Sequence, residues 1–203
     1  MKKIILIIIL LFLTGCDYIE LNDLSIIKSI AIDYEEEKYL LYAEIIDEIN
    51  EENTPTTEVI TVKEKSIEKC FQELIILSNK TIHYSHIDLL ILSTNLENKH
   101  LMETFKYFLN TKNFRNDFMV VASNNVKDLI KKSKYDEVEQ LIDNNQHQEL
   151  INIDIEEVIK DYLNHHTFTL SLLEYQDDNI VYQYNVKYKN NDVVKISNKE
   201  ENQ

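Results

Sequence analysis

The chain has almost none of the residues that let a backbone turn sharply. Gly15 is its single glycine and Pro55 its single proline in 203 residues. Loops that cradle a phosphate, and the fingerprint of dinucleotide-binding folds, need the close backbone approach that glycine permits, so both are excluded. The nucleophile elbow of a serine hydrolase goes with them. Turns fall instead to asparagine, which tolerates positive φ better than most residues. Asn53, Asn79, Asn110, Asn124, Asn125, Asn144, Asn145, Asn190 and Asn191 all lie between periodic segments. Tryptophan is absent and cysteine occurs twice, at Cys16 and Cys70. That is too few for a disulfide framework or a Cys-based zinc site. Cations are scarce as well: 21 Lys and Arg stand against 36 Asp and Glu, for a net charge of −15. A chain this acidic is repelled at long range by nucleic acid and by bare anionic lipid. No basic aromatic surface offers either a foothold, so no nucleic-acid partner is expected.

The organising stretch is Leu13-Thr14-Gly15-Cys16. Before it come Lys2 and Lys3, then an apolar run from Ile4 to Leu13. That run is about ten residues, and a spanning helix needs roughly 20. It reads as a cleaved signal, residues 1–15, ending in small residues that give a peptidase access to the bond before Cys16. The Cys16 thiol is then the attachment point for a covalent diacylglyceryl lipid, which is the only non-protein group expected. Two acyl chains anchor stably where one does so marginally. The chain after Cys16 is thereby placed outside the cytoplasmic membrane, lipid-anchored on its outer face. With Cys16 lipidated, Cys70 has no partner, and its place on an amphipathic stretch makes it a small buried hydrophobe.

Periodicity predicts strands over 24–33, 39–47 and 58–63, then a helix from a Ser66 cap to about Ser78, with Ile67, Cys70, Phe71, Leu74, Ile75 and Leu77 as its apolar stripe. A dense apolar strand follows at 87–93, a helix at 97–109, a strand at 117–122 and a short helix at 125–133. This order argues an α/β fold: a mixed β-sheet with flanking helices in two or three layers, over residues 16–133. Helices at 135–144 and 154–164 form a connector, 134–166. Strands at 168–175, 180–188 and 193–196 make 167–203 β-rich, either packed on the first domain or forming a partial second α/β domain. Tyr182, Tyr184, Val186 and Tyr188 share one face by the two-residue period.

Several segments resemble the Ger(x)C family of spore-germination lipoproteins. In that family the lipidated cysteine is followed by Trp-Asp-x-Arg-Glu-[Leu/Ile]-x-Asp-Leu. Here Cys16 is followed by Asp17-Tyr18-Ile19-Glu20-Leu21-Asn22-Asp23-Leu24, matching at Asp, Glu, Leu, Asp and Leu but lacking the Trp and the Arg. Ser29-Ile30-Ala31-Ile32-Asp33 resembles the family's Gly-Ile-Gly-Ile-Asp. Tyr84-Ser85-His86 precedes a hydrophobic strand as an aromatic-Ser-His does there. Arg115, the single arginine, and Asp117 stand before the next strand as an Arg and an Asp do in the family. The resemblance covers residues 13 to about 133 and, more loosely, 154–200. Family members are longer, with three α/β domains. The resemblance implies a C-type subunit of a nutrient germinant receptor in the spore inner membrane, partnered by A-type and B-type integral membrane subunits.

The residues themselves point away from catalysis. His83 and His86 straddle two residues, which on an extended segment sends the imidazoles to opposite faces, poor for joint metal ligation. Asp88 shares a face with His86, so a hydrogen bond between them is expected. Arg115 suits a bidentate pair with a carboxylate, Asp33 or Asp117. His165 and His166 read as a helix cap, and the acidic runs 35–37 and 47–52 as solvated loops. No catalytic or metal-binding residues are expected. The candidates for interaction with a partner are Glu20, Asp23, Asp33, Ser85, His86 and Arg115. The expected function is a lipid-anchored, non-enzymatic scaffold in spore germination; the alternative is a free-standing solute-binding or cell-envelope lipoprotein with a pocket between the first domain and the tail.

Overall fold

Isoleucine-rich Leu24–Glu35 forms β1, the strand on which the rest is laid. The computed structural model describes residues 24–49, 55–112, 114–132, 135–143, 150–189 and 192–196. Cys16, Glu20, Asp23 and five of the nine turn asparagines (Asn53, Asn144, Asn145, Asn190 and Asn191) lie outside the described residues. β1 turns through Glu36-Glu37 into antiparallel β2, Lys38–Ile49, which pairs with β3, Pro55–Glu64. β3 is an edge strand that begins at Pro55, where a missing N–H is tolerated. α1, Ile67–Ser78, starts as predicted: Ser66 Oγ accepts from the Lys69 N–H, and Asn79 closes the helix at φ 54°. It leads into β4, Thr81–His83, a short strand the sequence did not signal, parallel to Leu24–Ile26 at the start of β1.

β5, Leu89–Ser93, is buried throughout and lies parallel to β1. α2, Asn98–Asn110, returns the chain to β6, Met119–Ser123, parallel to β5. α3, Val126–Lys132, and α4, Tyr135–Asp143, precede α5, Ile155–His165, which Asp154 caps by accepting from the Glu157 N–H at 2.9 Å. β7, Thr167–Gln176, then lies parallel to β6, and antiparallel β8, Asn179–Lys189, and β9, Asp192–Ile196, follow. The order is β3-β2-β1-β5-β6-β7-β8-β9, with β4 beside β1. The sheet is therefore continuous across residue 133, where composition turns more polar.

Apolar residues line both faces of this sheet, so both must be covered. Ile67, Phe71 and Leu74 of α1, Leu101 and Phe105 of α2, and Val158 and Tyr162 of α5 pack on one face with Ile30, Leu90 and Val120. Val126 and Leu129 of α3 and Val138 of α4 pack on the other with Ala31, Ile91 and Val121. The result is three layers, helix on sheet on helix. A bulge corrects one expectation. Leu172 pairs with Tyr184 but Leu173 with Tyr182, so Gln183 is an extra residue in β8. Beyond it the side chains change face: Tyr184, Val186 and Tyr188 join the first core, and Tyr182 packs on the second.

The hairpin turns show what scarce glycine does locally. Glu36 and Glu37 hold φ 51° and 61°, and Asp177 and Asp178 hold 49° and 62°. Two consecutive positive φ values suit the right-handed twist of a hairpin, and glycine takes them most easily. A residue with a Cβ gives up about 1–2 kcal/mol there. Glu37→Gly is therefore expected to stabilise the fold by about 0.5–1 kcal/mol, after allowing for the greater freedom of the unfolded chain. Glu36 is left in place because its carboxylate accepts from Lys63 Nζ at 2.6 Å. Urea denaturation checks this, and an unchanged or lower midpoint counts against strain at the turn.

Candidate functional site

The parallel strands β1, β5 and β6 all begin at one end of the sheet, and crossovers α1 and α2 return the chain to that end. Most of the described interaction candidates gather there. Tyr84, Ser85, His86 and Ile87 form a tight turn, with the Ile87 N–H donating to the Tyr84 carbonyl at 3.3 Å. Tyr84 is buried and Ile87 nearly fully so, which pins the turn and leaves Ser85 and His86 exposed. The Tyr84 ring meets that of Phe114 at 4.9 Å. Arg115 follows Phe114, so Ser85, His86 and Arg115 occupy neighbouring turns.

Arg115 resolves its expected pairing in favour of Asp117. Its Nε donates to Oδ1 at 2.8 Å and its Nη2 to Oδ2 at 2.5 Å, a two-pronged pair between exposed side chains. The guanidinium holds the Asp117 carboxyl below the usual carboxylate range. Asp33 is not its partner. It lies buried near the far end of β1, where Oδ1 accepts from the Tyr34 N–H at 2.8 Å. The expected link between His86 and Asp88 is also replaced, because the Asp88 carboxylate pairs with Lys28 Nζ. Lys28 is the extra residue of a bulge in β1, between Ile27 and Ser29. The Asp88 N–H donates to the Lys28 carbonyl and the Met119 N–H to the Asp88 carbonyl, both at 2.9 Å. Lys28 and Asp88 thus stitch together the beginnings of β1, β5 and β6.

Beneath the two turns lies an aromatic cluster. Phe71 contacts Tyr84, Tyr107, Phe108 and Phe114, with Tyr107 stacked at 4.6 Å. Burial pushes the Tyr84 and Tyr107 hydroxyls up to about 12. It also pushes the Cys70 thiol up to about 11, which fits the buried hydrophobe expected there.

A second polar group, at the opposite end, escaped the sequence reading. His100 is buried and stacked on Tyr34 at 3.5 Å between ring centroids. Neither of its ring nitrogens, nor Thr104 Oγ1, has a hydrogen-bond partner among the described residues. Burial, aided by Lys99, lowers the imidazole pKa and keeps it neutral. The Tyr39 hydroxyl donates to Glu103 beside it. The available signal was the i, i+4, i+8 ladder His100, Thr104, Phe108, which puts the histidine on the inward stripe of α2. Nearby, Ser66, Ile67 and Glu68 of the α1 start face Glu103, Lys106 and Tyr107 across a cleft of about 430 Å³.

Residues 17–175 match the family described as the spore germination protein N-terminal domain. The chain belongs to that family. The match runs from the residue after Cys16 to the end of β7 and takes in every described candidate, including Asp33, Ser85, His86 and Arg115. Among solved structures, one titled as the crystal structure of the GerBC protein aligns over 88% of this chain with a TM-score of 0.43 and 14% identity. The alignment covers 53% of that chain, so this one spans about half its length. No curated protein matches. Among the described residues, no helix is long and apolar enough to cross a membrane, and no group of three or more His, Cys, Asp or Glu converges to hold a metal.

Proposed function

We propose that this chain is a lipid-anchored, non-enzymatic C-type subunit of a spore nutrient germinant receptor, which holds A-type and B-type integral membrane subunits together at the spore inner membrane. Family membership over residues 17–175 is the observation that supports this. The chain leaving Cys16 enters the fold at Leu24, eight residues on, as the first residue of β1. A diacylglyceryl group on Cys16 keeps the start of β1 at the bilayer, and the turns carrying Ser85, His86 and Arg115 lie at the tethered end. Positioning, with no bond made or broken, is the contribution.

Cys16→Ala tests this. The variant is expected to leave the membrane fraction, and its recovery with a multi-spanning partner to fall roughly tenfold or more, because tethering raises the effective concentration of the two. Unchanged recovery would show that the anchor is not what brings the subunits together.

A further inference from the structure

The last two turns of α1 carry Ile75, Ile76 and Leu77, exposed by 47%, 65% and 50%. The sequence places Ile75 and Leu77 on the inward stripe, but Leu74 is the last residue of α1 that the core covers. Three consecutive large aliphatic side chains in water are an exposed patch that calls for a partner. Three observations say which. The first is position. α1 ends two residues before β4, and β4 lies along Leu24–Ile26, where the chain from Cys16 joins the sheet. Eight residues between Cys16 and Leu24 reach about 26–29 Å at full stretch, so an acylated Cys16 keeps this end of the molecule at the bilayer.

The second is charge. Residues 74–87 contain no Asp or Glu, and neither do residues 104–116, in a chain with 36 of them. Both segments come to this end, joined through Phe71, Tyr84, Tyr107 and Phe114. At this end they carry Lys80, Lys112 and Arg115, with His83 and His86. Of the four acids that border them, Asp88 and Asp117 are paired with Lys28 and Arg115 and Glu103 accepts from the Tyr39 hydroxyl, while Glu73 is half-buried one turn ahead of Ile76. The repulsion that the overall charge implies toward anionic lipid is thus locally lifted. The third is area: Leu109, exposed at the end of α2, adds apolar surface at the same end.

We propose that Ile75, Ile76 and Leu77 rest in the headgroup region of the phospholipid bilayer to which Cys16 is anchored, setting the angle at which the sheet stands on the membrane. The inference rests on the anchored reading above. Side chains of this kind enter the interface to a depth of about 5–10 Å.

The test uses the full chain, lipidated at Cys16, in vesicles of phosphatidylethanolamine and phosphatidylglycerol. Ile76→Cys and, at the β1–β2 turn far from the tethered end, Glu37→Cys are each labelled with an environment-sensitive dye. Buried Cys70, whose thiol is held protonated, does not compete. Spin-labelled lipid is expected to quench the dye at position 76 roughly threefold or more over that at 37, with a blue shift at 76 alone. Vesicle flotation separates the two readings. Protein that floats with no excess quenching at 76 overturns this inference and leaves the anchor standing. Protein that does not float overturns both. Quenching that is absent on pure lipid, with protection of position 76 only when integral membrane subunits are present, also overturns the lipid contact and assigns the patch to protein.

Discussion

Phe71→Ala is expected to destabilise the fold by about 3–5 kcal/mol, the range for deleting a fully buried phenylalanine from a core that cannot close over the gap. Phe71 is 1% exposed and touches four other rings, two on α2 and two on the loops that carry the candidate residues. Those loops have no ladder of their own, so the ring is what sets their spacing. Urea denaturation measures the loss. A second readout reports where it falls: Tyr84 and Tyr107 owe their raised hydroxyl pKa values first to burial. Water admitted beside them should bring their spectrophotometric titration back toward about 10. Phe71→Leu, which keeps most of the volume, should cost clearly less. A loss below about 1 kcal/mol for the alanine variant would mean that the cluster collapses freely and holds nothing in register.

Glu174→Ala is expected to cost about 2–3 kcal/mol, and to do so unevenly. β6 and β7 share a single register pair, Ala122 with Leu172. Across the end of that short ladder the Glu174 carboxylate accepts from the Asn124 N–H at 2.7 Å and from Ser123 Oγ at 3.2 Å. Ser123 is fully buried and Glu174 only 9% exposed, so water cannot readily replace the lost acceptor. Amide exchange should therefore quicken in β7 and β8 before it does in β1 and β5, as expected when one part of a domain opens ahead of the rest. Uniform quickening across the sheet would contradict the role given to Glu174 as a clasp.

Why so many elements were legible before any coordinates is a matter of pattern strength. The Ser66 cap, the spans of α1 and α2 and the apolar runs of β5 and β6 are local signals, and the structure keeps each within about two residues, as boundary uncertainty allows; the α1 stripe holds from Ile67 to Leu74 and fails at Ile75 and Leu77. Long-range facts were not legible. β4 is three residues with no apolar pattern, set by its pairing with β1 and by Ile82 against the core. The bulge at Gln183 leaves no mark in the composition of β8, yet it carries Tyr182 to the other face. Arg115 could be matched to a carboxylate by chemistry, but only topology separates Asp117, two residues away, from Asp33 at the other end of β1. The turns at Glu36-Glu37 and Asp177-Asp178 follow from too little glycine; aspartate tolerates positive φ, but that two glutamates would take it is not something propensity suggests. The family resemblance, by contrast, was carried by short matched segments in order, and the family match spans residues 17–175.

The tether joins the fold through a strand of the interior. β1 is hydrogen-bonded to β2 along one side and to β4 and β5 along the other. A mechanical load applied to the chain ahead of Leu24 therefore acts along the strand axis and must shear both ladders together, where a load on edge strand β3 would peel one bond at a time. Extraction by force is limited by the rate of such an opening rather than by equilibrium stability. Motion of the surrounding lipid would on this geometry drag the domain as a whole before unravelling it.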